Sequence, residues 1–473
     1  MERVCSDHRI RRLSRAWAPW ALALIVVAAC LSVAKAWSQT SGGTGFEIID
    51  RIQSLTLTTP ADVLSGGTVV VNNISIVIPR NTLIIMPGTV LSLGEVFNGM
   101  PQSGLATSDS LPPQSPYEVA VTGNIVNGTY IAGLMQIAQS FGQALAGTIT
   151  AIDYTNGDVW ISGAMGRPMR SRVQLNDPVG RHGRVMSADA RFTADTDNPT
   201  IHSQTGYPMC VPRTNPATQD DPLCPKGNRP LDPVTGTPLK KFTMAAPGTP
   251  GALTDPTKQA PLMVGDFITY SGIQVTDARG PYISASHINA WVGISTAPGT
   301  LPAYVTQEVS QLGVGSGPAF PGIAADFKLG ILIEGYTTDP TRPVDVYAVD
   351  IDACSGRETQ RLLGTGFPAP VSQLYKFEPV VGNFLPVMRE IVVKMRQGTM
   401  PAANGLIAGQ YRAPVGTYLF AATLSPGLPL LPRNFGDFPF LAKGSGPFHG
   451  AGPVVGQLSP WPGAPVPAPS ACQ

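Results

Sequence analysis

The chain has 473 residues, of which 43% are hydrophobic and 13% charged, with 51 glycines and 47 prolines. That apolar content suffices for several cores, and glycine plus proline stays below the level expected of wholesale disorder. A formal net charge of +1, with no long basic run, argues against nucleic acid as a partner.

Residues 1–36 read as an export signal. Arg9, Arg11, Arg12 and Arg15 precede an apolar segment of 16 residues, Ala18 to Val33, and Ala34-Lys35-Ala36 places small residues where a signal peptidase cuts. Cleavage before Trp37 leaves 437 residues, 26 basic and 29 acidic, for a net charge of −3. Cleavage ahead of Cys30, after Val27-Ala28-Ala29, would instead leave a lipid anchor on that cysteine. Arg11-Arg12 could mark export in the folded state, although Leu13-Ser14-Arg15 fits the twin-arginine pattern poorly. The apolar run is shorter than the roughly 20 residues of a membrane-spanning helix, and no transmembrane span is expected after it. The expected location is secreted, periplasmic or cell-surface.

The fold class reads as mostly β. In an N-terminal β segment, 37–116, Ile74, Ile76 and Ile78 alternate with Ser75 and Val77, and Leu83 to Met86 follow beyond Pro79-Arg80-Asn81; this predicts two short strands around a turn. Leu134, Ile137, Ala138, Phe141 and Leu145 recur at helical spacing behind strand-like Tyr130-Ile131, which reads as a strand running into one or two helical turns. Asn156-Gly157, between two β-rich runs, predicts a type I′ hairpin, because both positions of that turn need positive φ. Val264 to Gly272 reads as a further strand. Segments 117–176 and 262–296 together resemble a small OB-like barrel spanning 117–312.

A proline-rich insertion, 177–261, interrupts this barrel, with 12 prolines between Pro208 and Pro261. After a linker at 313–325 that includes Gly313 to Pro318, Leu329 to Glu334, Val344 to Ile351 and Ile391 to Arg396 read as strands. Residues 326–424 thus resemble an Ig-like or fibronectin-like sandwich of about 100 residues. The last segment, 425–473, carries 11 prolines and is expected to lie extended along the surface.

Four cysteines follow the leader, allowing three pairings. Cys210–Cys224 would pin the proline-rich loop and Cys354–Cys472 would tie down the tail, so these two are favoured.

No G-x-S-x-G, H-E-x-x-H, G-x-x-x-x-G-K-[ST] or C-x-x-C motif occurs. The densest polar cluster, Asn176 to Cys210, offers Asp195, Asp197 and Asn198 as oxygen ligands for calcium. His182 and His202, with methionines at 165, 169, 186 and 209, offer nitrogen and sulfur to copper, although ordinary turn roles also fit the Asp and Asn residues. Asp350 to Glu358 is an imperfect calcium-like string with Cys354 where oxygen is wanted. Isolated Glu118, Glu308 and Glu334 would need the fold to bring them together for acid–base work, and Ser286 points away from His287 on a strand. Trp160, Tyr270, Tyr282 and Trp291 on the barrel form a candidate stacking surface. The expected function is a secreted, non-catalytic role in binding an extracellular polymer or protein surface, or in structure. The alternative is a secreted hydrolase or metal-dependent enzyme with its site on the 176–261 loop.

Overall fold

The computed structural model describes residues 43–108, 110, 114–140, 145–163, 170–313, 331–379, 384–419, 432–469 and 472. Residues 1–36, read above as an export signal, with Cys30, Met165, Met169 and all but the first residue of the 313–325 linker lie outside them.

Strands β1 (Thr44–Leu57), β2 (Gly67–Val71) and β3 (Ile74–Ile78) are followed by a short hairpin, β4 (Leu83–Ile85) and β5 (Val90–Ser92), and a helix, α1 (Leu93–Phe97). Next come β6 (Glu118–Val126) and β7 (Thr129–Ala138). β1 pairs antiparallel with β2 and β6, and the sheet closes where β3 runs parallel to β7. The result is a closed five-stranded barrel. Burial alternates along β2, as expected for a strand with one face inside. Ile52, Val69, Val71, Ile76, Val119 and Val121 fill the interior, and α1 adds Leu93, Val96 and Phe97.

Two hairpins of this barrel turn on two residues, Asn72-Asn73 and Asn127-Gly128, all with φ between 49° and 79°. These are the type I′ turns, because asparagine and glycine tolerate that backbone at low cost. The strands expected at 74–78 and 83–85 both form, yet they do not pair with each other: β3 lies against β2 and β7, and β4 against β5 and β7. From Leu134 to Ala138 the helical spacing is overridden, and Phe141 lies outside the described residues. β7 pairs with β6 from Thr129 to Ala138 with one register shift at Gly133, and this ladder decides its conformation.

A second ring follows, built from β8 (Leu145–Asp153), β9 (Asp158–Gly163) and β10 (Arg170–Leu175) with the later strands β15 and β16. Between β10 and β15 the insertion contributes β11 (Ile201–Ser203), β12 (Met209–Cys210), β13 (Lys241–Met244) and β14 (Ala260–Pro261). Then come β15 (Phe267–Asp277), β16 (Gly280–Ala290) and β17 (Gly293–Thr296). Parallel pairing of β10 with β16 closes the ring. In both rings the five strands run first-second-third-fifth-fourth. The grouping expected from sequence drew 117–138 into the second ring; the pairing places those residues in the first.

The β8–β9 turn has four residues rather than the two of a type I′ hairpin. Gly157 takes φ 71°, and the Asp153 carboxylate accepts from the Thr155 and Asn156 amides at 2.9 and 3.2 Å, so an Asx turn sets the loop. The insertion does more than run over the surface. Tyr207, Met209, Val211 and Met244 join the second ring's core, and the Cys210–Cys224 disulfide closes its centre.

The remaining strands are β18 (Val309–Gly313), β19 (Ile331–Tyr336), β20 (Val344–Ile351), β21 (Glu358–Gly366), β22 (Leu374–Phe377) and β23 (Glu390–Met395). β24 (Met400–Pro401), β25 (Ile407–Ala408), β26 (Gln410–Pro414) and β27 (Thr417–Leu419) complete them. They form two four-stranded sheets, β22-β19-β18-β27 and β21-β20-β23-β26. Leu312, Ile333 and Tyr375 of one sheet share a core with Val346, Ile391 and Val393 of the other. The three strands read from sequence are present as β19, β20 and β23.

The C-terminal segment departs from the extended course expected of it. Phe435, Phe438, Trp461 and Leu441, the last on α2 (Pro439–Ala442), bury themselves in the sandwich core, while Phe448 and Val455 pack on Leu64 of the first barrel. Its prolines interrupt regular structure but leave these anchors free to pack. The Cys354–Cys472 disulfide joins the end of the chain to the β20–β21 turn. No helix among the described residues is long and apolar enough to cross a membrane.

Candidate functional site

A cleft of about 520 Å³ opens where four segments meet: the β4–β5 turn, the insertion at Asp195–Asn198, the sandwich strands β21, β23 and β26, and the C-terminal segment around His449. Arg412, on β26, organises it. Its guanidinium holds Glu358 in a two-point contact, 2.7 Å at each nitrogen, and also grips Glu390. Hydrogen bonding from Arg412 is the main reason the Glu358 carboxyl lies below the usual carboxylate range. The Arg412 backbone is fixed as well, since its N–H donates to the Asn198 side-chain oxygen at 2.8 Å. At the rim, His449 Nε2 lies 2.7 Å from the Glu95 carboxylate of α1.

The sequence-derived calcium candidates sit on one wall. Asp195 accepts from the Asp197 amide (2.7 Å), the Asn198 amide (3.2 Å) and Asn198 Nδ2 (2.6 Å), so this trio forms an Asx turn. Burial pushes the Asp195 carboxyl up despite those donors. The histidines lie elsewhere. His182 is wholly buried within the insertion, with Nδ1 2.9 Å from the Met209 carbonyl, and burial pushes its pKa down. His202 stacks edge-on to His287 at 5.1 Å, and its Nε2 is 3.9 Å from Glu308. Burial, and then the charge of His202, push His287 down to about 4. The structure therefore separates Asp195, Asp197 and Asn198 from His182 and His202. Among the described residues no three His, Cys, Asp or Glu side chains converge as a metal-holding group.

The four aromatic candidates do not form one patch. Tyr270 belongs to the second ring's core. Trp291 is 57% exposed and packs edge-on against Phe267. Trp160 and Tyr282 share the outer face of the second ring with Arg172 between them: Arg172 is paired with Trp160 across β9–β10, and its guanidinium lies 4.7 Å over the Tyr282 ring. Arg172 also binds Asp277 at 2.6 Å, while Arg279 grips Asp158. The Arg172 hydrogen bond is the largest influence holding the Asp277 carboxyl down to about 2, helped by the Arg279 amide and both guanidinium charges. Asp277 is expected to titrate near that value in a carbon-13 NMR pH series and to rise part of the way toward the ordinary value of about 4 in Arg172→Gln, where the Arg279 amide and charge remain; an unshifted Asp277 in the unsubstituted protein would refute the assignment.

Sequence reasoning missed Glu390, Arg389, Arg412 and His449, and met Glu358 only as the end of the imperfect calcium-like string. Nothing in the spacing links Glu390 to Arg412, 22 residues away, or Glu358 to Arg412, 54 residues away. No family model matches the chain, and no curated protein and no solved structure matches it either.

Proposed function

We propose that the chain is an exported, non-catalytic binding protein that takes an extracellular polymer or protein partner into this cleft, with OB-like rings and an Ig-like sandwich as its frame. The observation that carries this reading is that the cleft's polar groups are already fixed: Glu358, Glu390, Arg412 and Asn198 hold one another before any ligand arrives. A site ordered in advance loses little entropy on binding, and its volume falls within the range of about 300–1,000 Å³ usual for ligand pockets. The two disulfides suit an oxidising compartment outside the cytoplasm.

The test is steric. Ser355 is exposed and lines the cleft, so Ser355→Trp should fill it without disturbing a core. A ligand found on a combined glycan and peptide array should lose at least about ten-fold in affinity; a ligand indifferent to Ser355→Trp would remove the cleft from the account.

One observation favours a second reading, an exported hydrolase. Asp195 and Glu358 line the same cleft, one pushed up by burial and the other drawn down by Arg412, and such a split assigns acid and base roles to paired carboxyls. Turnover of an oligomeric substrate, abolished by both Asp195→Asn and Glu358→Gln, would establish it. Binding without turnover would leave the first reading in place.

A further inference from the structure

Beside the cleft lies a second depression of about 660 Å³, between the α1 segment and residues 188–191 of the insertion. The two adjoin. Val90 lines the cleft and Leu91 the depression, while the contact between His449, on the cleft side, and Glu95, on the other, forms the ridge between them.

Their chemistries differ. The cleft presents four carboxylates, Asp195, Asp197, Glu358 and Glu390, against the two guanidinium groups of Arg389 and Arg412. Among these Asp197 is exposed, and its carboxylate pairs with no other side chain among the described residues. The second depression has Leu91, Phe97, Met100 and Pro101 in its lining, its charged Asp189 and Arg191 neutralise each other in a 2.7 Å ion pair, and Met100 is 62% exposed. An exposed methionine offers an adaptable apolar contact. A ligand that satisfies both sites needs successive units that differ in polarity and charge. A glycan that repeats one unit does not supply this, and a nucleic acid or polyuronate would bring negative charge to the carboxylates. A polypeptide does supply it.

We propose that the two depressions are neighbouring subsites for one extended peptide: an apolar side chain enters the Met100 depression, a Lys or Arg side chain enters the acidic cleft, and the backbone crosses the His449–Glu95 ridge. This rests on the reading of the cleft as a binding site.

Fluorescein-labelled peptides with Leu and Arg separated by one to five Gly/Ser residues, together with unlabelled cellohexaose as a neutral glycan, test the proposal against the full exported chain. One spacing is expected to bind best. Asp197→Asn should weaken it about three- to five-fold, with a shallower salt dependence, and Met100→Ser about ten-fold. With Gln in place of the peptide's Arg, Asp197→Asn should have no effect, a coupling that a general loss of structure would not produce. Both substitutions are at exposed side chains, and circular dichroism is the check that the variants fold. Binding of cellohexaose that Ser355→Trp abolishes, without peptide binding, overturns the peptide assignment and leaves the cleft reading intact. Peptide binding indifferent to Asp197→Asn and Met100→Ser overturns the assignment too, and if it is also indifferent to Ser355→Trp the cleft reading fails with it. No binding of any probe overturns both.

Discussion

Arg229→Met is expected to destabilise the folded chain by about 3 kcal/mol at neutral pH. The Arg229 and Asp266 side chains are both fully buried, and the guanidinium meets the carboxylate at 2.8 and 2.9 Å. It also donates to the carbonyls of Pro261 and Leu239, so one side chain ties together the insertion and the approach to β15. Removing it strands a buried carboxylate, which commonly costs about 3–5 kcal/mol. The lower end applies because Lys240, 2.7 Å from Asp266, and the Met263 amide, 2.9 Å away, remain as partners.

The pH dependence has a definite sign. Burial acts to raise the Asp266 carboxyl, but the Arg229 hydrogen bond and charge, with Lys240 and the Met263 amide, outweigh it and leave the group lowered. A group lowered in the folded state stabilises fully above the ordinary carboxylate value of about 4, and this contribution is lost as pH falls through the folded value. Urea unfolding should therefore show the full gap between the unsubstituted protein and Arg229→Met at pH 7 and a narrower one at pH 2.5. A gap below about 1 kcal/mol at pH 7, the level of an exposed ion pair, would mean that the pair is not buried as described.

None of this pair was legible in the sequence. Arg229 stands between Asn228 and Pro230 in a stretch with no hydrophobic period, and its partner is 37 residues further on. The insertion read as a surface excursion for the same reason. Tyr207, Met209 and Met244 anchor it in a core, but single anchors at irregular spacing leave no periodic trace. Strands such as β19, β20 and β23 were readable because alternation is a local property, and the two disulfides because four cysteines allow only three pairings. Turns were half readable. Asn127-Gly128 and Asn156-Gly157 are the same dipeptide, yet the first makes a two-residue turn and the second lies in a four-residue one, because Asp153 captures its neighbouring amides. Of the cleft, the Asp195–Asn198 wall was in view from its clustered polar residues. Its Glu358–Glu390–Arg412 core was not, since it exists only once β21 and β23 flank β20, β26 pairs with β23, and the insertion meets β26.

Phe435→Ala should cost about 3–5 kcal/mol, the range for emptying a buried phenylalanine site. Phe435 is 1% exposed, lies 5.5 Å from Phe438 between ring centres, and through Phe438 reaches Tyr418 of β27. Its other side faces the first barrel, where a Cβ added at Gly133 would run into the Phe435 ring. Gly133 in a strand therefore marks the close approach of a segment some 300 residues away, one of the few reasons for glycine inside a paired strand. Gly133→Ala alone should cost about 1–3 kcal/mol through overpacking. The two effects must couple, because Phe435→Ala leaves the space that the added methyl group needs. In the Phe435→Ala background, Gly133→Ala should be close to neutral, so the double variant loses at least about 1 kcal/mol less than the sum of the singles. Chemical denaturation of the four proteins measures this directly. Strict additivity would show that the C-terminal segment does not rest on β7, and the barrel and sandwich would then lack the joint that holds the walls of the cleft together.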